Sequence, residues 1–197
     1  MFTYTPCAAG CGKPAITGSA LCSSHLVNPA DEAKRICGYI EGRKSINDLN
    51  AQGLHFLDTE FNEHNFYGCS FSGAAFTKCD FVKINMRLVF FDFCVFTGCS
   101  FLKSDFRFLS FAGSVIKECR FEGSELVDIN FGGTYISDSL FDDNNLYNSR
   151  FVESDIYNSN FINCNLKRTN FYKYRQTALE FKSSNTAEAI FTMEEPD

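Results

Sequence analysis

The sequence of 197 residues has no tryptophan, three histidines and no excess of basic residues, and its formal net charge is −6. An acidic balance disfavours direct nucleic-acid binding, which requires a basic surface against the phosphates. No apolar run approaches the roughly 20 residues of a membrane-spanning helix, so no membrane association is expected. Residues 1–7 lack the basic and apolar regions of an export signal. A cytoplasmic location is therefore expected, with the ten cysteines reduced.

Phenylalanine is abundant, with 23 residues, and most of these recur at a spacing of five. From Phe56 to Phe171, all 24 positions taken in steps of five are large and apolar, and 17 of them are phenylalanine. The residue two positions earlier is mostly Ser, Cys or Ala, and the residue just before is often Asp or Asn. Neither the helical period of 3.6 nor the strand period of 2 produces this spacing.

This pattern resembles the pentapeptide-repeat family, whose motif is A(D/N)Lxx, with Phe in place of Leu here. The resemblance covers about 120 residues and implies an all-β solenoid, a right-handed quadrilateral β-helix with four repeats in each of about six coils. A period of twenty supports four sides independently, because phenylalanine occupies every twentieth position from Phe61 to Phe161. Such a choice is unexpected unless residues twenty apart are in contact.

Four segments are predicted along the chain. They are a zinc-finger-like module at 1–27, a capping helix and linker at 28–50, the repeat β-helix at 51–175, and a C-terminal cap with an acidic tail at 176–197.

The second segment contains a predicted helix over 29–41. Asn28 followed by Pro29 is typical of a helix start. The apolar residues Ala33, Ile36 and Ile40, together with Cys37, follow the helical spacing and form one stripe. We expect this helix to cover the first coil, which would otherwise expose its core and an unpaired strand edge.

A metal site is predicted near the N-terminus, where Cys7, Cys11, Cys22 and His25 form two close pairs. Three thiolates and one imidazole complete a tetrahedral shell around Zn²⁺ and leave no position for a reactive water, so the zinc would be structural. The alternatives to a metal site are four unrelated residues or a Cys7–Cys11 disulfide. A metal ion other than zinc is a further alternative.

Six cysteines lie within the predicted repeats, and each is two residues before a repeat centre. They are Cys69, Cys79, Cys94, Cys99, Cys119 and Cys164. A metal or redox ladder is one interpretation, but Ser139 and Ser159 continue the column of Cys79, Cys99 and Cys119. We therefore interpret these cysteines as small packed hydrophobes.

No catalytic constellation or phosphate-binding motif is present, so we expect no enzyme activity. The sequence favours a non-catalytic, bacterial-type interaction scaffold with an unidentified protein partner, and a homodimer is compatible with it. Leu88, Phe90, Phe93 and Phe108 are predicted to point outward at one corner and form a contact surface. The alternative is that a terminal segment folds back over them.

A second function comes from the resemblance, because some pentapeptide-repeat proteins mimic duplex DNA and bind DNA gyrase or topoisomerase IV, conferring quinolone resistance. An acidic band would serve this role. Its residues are Glu122, Glu125, Asp128, Asp138, Asp142, Asp143, Glu153 and Asp155. Scattered surface acids also simply maintain solubility. A secreted effector with such repeats is a third hypothesis.

Overall fold

The five-residue spacing produces a parallel β-solenoid of about seven turns. Residues 4–192 are described by a computed structural model. The solenoid follows one α-helix, α1 (Pro29–Glu41). Its short strands are β1 (Ser45–Asn47), β2 (His55–Leu57), β3 (Asn65–Tyr67), β4 (Ala75–Thr77), β5 (Asn85–Arg87), β6 (Val95–Thr97), β7 (Asp105–Arg107), β8 (Val115–Lys117), β9 (Glu125–Val127), β10 (Tyr135–Ser137), β11 (Asp155–Asn160) and β12 (Arg175–Glu180). Short 3₁₀ turns occupy Ser23–His25 and Thr186–Glu188.

Two sides of the rod are parallel sheets, one of which continues beyond β9 as single bridges, and the other two sides are held by single β-bridges. The five-stranded side has the order β1-β3-β5-β7-β9, and the seven-stranded side has the order β2-β4-β6-β8-β10-β11-β12. Bridges such as Ser70↔Phe90 form the first bridge side, and bridges such as Asp80↔Ser100 form the second. Paired residues are twenty apart, as in Phe56↔Phe76, so the four-sided coil predicted from the sequence is confirmed.

The core consists of stacked phenylalanine rings. Phe101 is fully buried, with its ring centroid 4.6 Å from that of Phe81 and 4.3 Å from that of Phe121. These rings are nearly parallel within a column and meet their neighbours in other columns edge to face, as for Phe101 and Phe111. Both are favourable arrangements for aromatic quadrupoles.

Where serine or cysteine lies two residues before a centre, its side chain links successive coils. The Ser104 hydroxyl donates to the Phe81 carbonyl at 2.9 Å and accepts from the Ile84 N–H at 3.2 Å. Cys94 Sγ donates to the Phe71 carbonyl at 3.1 Å in the equivalent place. A small residue with one donor fits this slot because it satisfies buried backbone groups without displacing a ring.

The solenoid is longer than the six coils expected from the sequence. At the N-terminal end it begins at β1, where Ile46 pairs with Phe66, so the boundary expected at residue 51 is too late. Ile46 is in phase with the repeat, but the sequence argument started at the first phenylalanine. At the other end β12 adds to the sheet, and the Phe191 ring stacks on Phe171 at 5.3 Å. The predicted acidic tail, Met193–Asp197, lies outside the described residues.

The helix predicted at 29–41 is confirmed as α1. The Asn28 side chain accepts from the Asp31 N–H at 3.4 Å and caps its first turn. Ala33, Ile36 and Ile40 are buried against the first coil. The helix therefore covers the core at the N-terminal end of the solenoid.

Candidate metal centre and interaction surfaces

The four predicted metal ligands converge at one point. The ligand atoms of Cys7, Cys11, Cys22 and His25 all lie within 4.8 Å of one another. Cys11 Sγ is 3.7 Å from Cys22 Sγ, and His25 Nδ1 is 3.6 Å from Cys7 Sγ and 3.3 Å from Cys22 Sγ. A tetrahedral zinc with ordinary bond lengths would hold such ligands about 3.5–3.8 Å apart. The donor set fits a closed structural zinc site, and these three of the six separations lie close to the tetrahedral values.

The surroundings of the cluster favour thiolates at Cys7 and Cys22. At Cys11, by contrast, a backbone hydrogen bond with Lys13 is outweighed by burial and by hydrogen bonds with Cys22 and Cys7, which raise the pKa of that thiol. Although burial acts to raise the pKa of Cys22, hydrogen bonds from His25, Cys11 and Cys7 outweigh it and lower that pKa to about 6. The backbone N–H of Cys22 donates to Cys7 Sγ at 3.3 Å and lowers the pKa of Cys7. Thiolates are the form in which cysteine binds a metal.

The module that carries the cluster is attached to the first coil through Asn50. Thr17 N–H donates to the Asn50 carbonyl at 2.9 Å, and Asn50 N–H donates to the Thr17 hydroxyl at 2.7 Å. The Asn50 side chain donates to the Ala15 carbonyl at 2.6 Å, and Ile16 joins the solenoid core. These contacts take the place of the coil that would precede Asn50, so the module and α1 together cap the rod.

The outward apolar residues extend further than the single corner predicted. Leu88 and Phe108 are stacked on one corner, at the start of the first bridge side, and are 52% and 56% exposed. Phe90 lies half-buried on that side. Phe93 is 73% exposed and lies at the following corner, because it is five residues after Leu88. We call these four residues the apolar patch.

No segment among residues 4–192 covers the corners of this patch, so the fold-back alternative does not apply to the described chain. Leu88, Phe93 and Phe108 also adopt positive φ angles of 55°, 58° and 58°. This left-handed conformation is unfavourable for a bulky side chain by about 1–2 kcal/mol, and Gly68 and Gly73 occupy equivalent corners in the preceding coil. Other corner residues such as Lys78 and Lys83 share this conformation, so the three residues are distinguished by their exposed apolar side chains.

A comparison with protein-family models decides the family. Residues 114–191 match a model described as a pentapeptide repeat region, and residues 52–87 match one described as pentapeptide repeats in eight copies. The two matches together cover more than half of the chain. The chain belongs to the pentapeptide-repeat family. No curated protein matches it.

Solved pentapeptide-repeat structures share low sequence identity with the chain. One is HetL, involved in heterocyst differentiation regulation in Nostoc sp. strain PCC 7120, with 11% identity over 80% of this chain and 95% of HetL at a TM-score of 0.34. Rfr23 from Cyanothece 51142 also has 11% identity, over 80% of this chain and 98% of Rfr23, at a TM-score of 0.34. QnrB1, a plasmid-mediated fluoroquinolone resistance protein, has 19% identity over 70% of this chain and 78% of QnrB1, at a TM-score of 0.38.

The acidic band of this pentapeptide-repeat protein does not lie on one face. Glu122 and Asp142 are on the second bridge side, Glu125 on the five-stranded side and Asp155 on the seven-stranded side, while Glu153 is at a corner of the first bridge side. The sequence contained this signal, since position within the period of twenty assigns each residue to a side.

The band residues are also engaged with neighbours. Each of the eight accepts a hydrogen bond or forms an ion pair. The partners are Arg120 for Glu122, Asn145 for Glu125, Asn148 for Asp128, Asn158 for Asp138, the Ile162 N–H for Asp142, Asn163 for Asp143, Lys173 for Glu153 and Arg175 for Asp155.

The rod cysteines have the packing role predicted for them. All six are buried, and burial raises the pKa of Cys69 to about 11 and the pKa values of Cys94 and Cys164 to about 12. Among the described residues, the Cys–His cluster is the only group of three or more such side chains placed to hold a metal. No helix in the described part of the chain is long and apolar enough to cross a membrane.

A labelling experiment tests the state of these thiols. Because Cys69, Cys94 and Cys164 stay protonated well above pH 8, iodoacetamide at pH 8 is expected to leave them unmodified in the native protein. Mass spectrometry of tryptic peptides would measure this, with urea-unfolded protein as the positive control. Native labelling at the unfolded rate would show that these sites open readily to solvent.

Proposed function

We propose that this chain is a non-catalytic protein-interaction scaffold that binds a protein partner through the apolar patch. The observation that carries this proposal is the set of exposed Leu88, Phe93 and Phe108 side chains at left-handed corners. Large apolar side chains are unfavourable in water, so their concentration at two neighbouring corners supports a role in binding. The core of the described coils is filled with stacked phenylalanine rings, which supports the absence of catalysis.

The border of the patch is suited to a protein interface. Arg87 and Arg107 directly precede Leu88 and Phe108, and both guanidinium groups contact Asp105, at 2.5 and 3.2 Å. Aromatic side chains surrounded by arginine are enriched at protein–protein interfaces. The stacked coils hold these groups in place, so little conformational entropy would be lost on binding.

The second part of the proposal assigns a structural Zn²⁺ to Cys7, Cys11, Cys22 and His25. The zinc would stabilise a module with few large apolar residues of its own and hold it against Asn50. Thiolate ligation requires reduced cysteines, which supports a reducing location such as the cytoplasm.

Phe108→Asn tests the interaction surface. Asparagine tolerates the left-handed conformation, so the free energy of unfolding is expected to stay unchanged or to rise by up to about 1 kcal/mol. Partner capture is expected to fall, because one of the two exposed phenylalanine rings of the patch is lost. The measurement is affinity capture from native lysate with zinc retained, quantified by mass spectrometry beside urea unfolding curves.

Lys78→Asn is the matched control, because Lys78 has a φ of 52° at the opposite corner of the coil. A partner that binds through the apolar patch is retained by Lys78→Asn and lost by Phe108→Asn. A partner retained by both variants would contradict the proposal. The DNA-mimic alternative has less support, since its acids lie on all four sides, and inhibition of gyrase supercoiling by the purified protein would restore it.

A further inference from the structure

The seven-stranded sheet ends in an open strand edge at its N-terminal side. β2 is the last strand of this sheet, and β4 is its only strand partner among the described residues. Ala75 N–H donates to the Leu54 carbonyl at 2.9 Å, and Asp58 N–H donates to the Thr77 carbonyl at 3.0 Å. Because backbone groups alternate in direction along a strand, His55 and Leu57 direct theirs away from β4, to the open edge.

A groove of about 790 Å³ runs along this edge, between β2 and α1. We call it the edge groove. Its strand wall is formed by residues 55–60, and its helix wall includes Lys34, Cys37, Gly38 and Glu41. The Leu57 side chain is 66% exposed. At the open edge, the Leu57 carbonyl accepts from the Thr59 hydroxyl at 3.0 Å, and no other strand within residues 4–192 pairs there.

Gly38 in the helix wall has no evident role inside the chain. Glycine in a helix interior is about 1 kcal/mol less favourable than alanine. A Cβ at this position would meet no heavy atom within 4 Å, so no close contact in the described structure requires glycine here. The glycine leaves open space on the helix wall of the groove.

The border of the edge groove is acidic. Glu41, Asp58 and Glu60 line it, and none of the three forms an ion pair with a described residue. Lys34 is the one lysine or arginine in the lining, and its Nζ lies 3.9 Å from an Asp31 carboxylate oxygen. A ligand that carries positive charges would complement this border.

We propose that the edge groove binds an extended basic segment of a partner protein, which pairs with β2 as an additional strand. Such a strand would exchange backbone hydrogen bonds with His55 and Leu57, as in other cases of recognition by strand addition. Inward-facing side chains of the added strand would meet Phe56 and Ala33, and the alternate, outward-facing ones would lie beside Leu57 and the acidic border. At about 3.3 Å per residue, six or seven residues span the strand wall. This site is separate from the apolar patch and does not depend on the proposed function.

A synthetic peptide of alternating lysine and valine, seven residues long and labelled with fluorescein, is the probe. Fluorescence anisotropy with the zinc-loaded full chain is expected to show saturable binding. The matched peptide with glutamate in place of lysine is expected to bind at least about tenfold more weakly, because its charges repel the border. Equal binding of the two peptides would overturn the basic specificity.

Backbone methylation distinguishes strand addition from charge attraction alone. Only one edge of an added strand faces β2, so its N–H groups at alternate residues point to the protein. In one peptide the backbone nitrogens of the valines are methylated, and in another the backbone nitrogens of the lysines. The charge is the same in both peptides. One of the two is expected to lose about tenfold or more in affinity, since hydrogen bonds are removed, and the other much less. Equal affinity in both peptides would overturn the proposal.

Gly38→Leu tests the location. Leucine favours the helix and fills the groove, so the variant is expected to remain folded by circular dichroism and to bind the peptide about tenfold or more weakly, with Gly38→Ala between it and the wild type. Phe108→Asn is the control and should bind normally. Undiminished peptide binding by Gly38→Leu would overturn the site. A wild-type dimer in light scattering that becomes a monomer in Gly38→Leu would also overturn the proposal, because a second copy of the chain would then occupy the groove.

Discussion

Phe101→Ala is expected to lower the free energy of unfolding by about 3–5 kcal/mol, the usual cost of deleting a ring from a close-packed core. Phe101 is fully buried and stacks between Phe81 and Phe121, so the truncation removes contacts with two coils at once. The stacked columns leave little freedom for the coils to close the cavity. Urea unfolding followed by far-UV circular dichroism would measure the loss.

Phe93→Ala is the matched control, since it deletes the same ring from a residue that is 73% exposed. We expect a change within about 0.5 kcal/mol, as for ordinary surface substitutions. The Phe93 ring lies over Gly113, where a Cβ would come within 2.7 Å of it, and this contact contributes little because one face of the ring remains in water. A similar loss of stability in both variants would contradict the assignment of Phe101 to the core and Phe93 to the surface.

Cys22→Ser is expected to reduce bound zinc from one equivalent to none. Cys22 Sγ is near both Cys11 Sγ and His25 Nδ1, so its loss would open the tetrahedral shell proposed for Zn²⁺. Without the metal, the module is expected to unfold and release its hydrogen bonds to Asn50, because a segment this small is unstable without its zinc. Elemental analysis would measure the zinc, and hydrogen exchange would report increased exchange at Asn50 and in α1.

Cys94→Ser provides the control, because Ser114 occupies the same slot in the next coil and donates the equivalent hydrogen bond to the Phe91 carbonyl. This variant should retain its zinc and its slow exchange. Terminal repeats of a solenoid depend on a single neighbour, so the effect of Cys22→Ser should be largest at the N-terminal coil and decline along the rod. Uniform destabilisation of all coils, or zinc retained by Cys22→Ser, would contradict the capping role.

The solenoid could be predicted from residue spacing because each repeat contacts only its neighbours in the coil and the repeats twenty residues away. Phe61 and Phe81 are both phenylalanine because they occupy equivalent positions in successive coils, and for the same reason their rings stack. The Cys–His cluster was also predictable, since Cys22 and His25 are close in sequence and the donor types restrict the chemistry. The start of the first coil was missed because Ile46 satisfies the repeat without phenylalanine.

Other features depend on how separate elements meet in three dimensions. The exposure of Phe93 one side away from Leu88, and the partners of the acidic residues, follow from the coil geometry that places each residue on a side. The groove beside β2 depends on the angle at which α1 crosses the first coil, and that angle is determined by the packing of Ile36 and Ile40 against the core. Spacing along the chain carries no record of such an angle, because it arises from contacts between elements of different period. Local repetition therefore determined the rod, and tertiary packing decided which of its surfaces remain open.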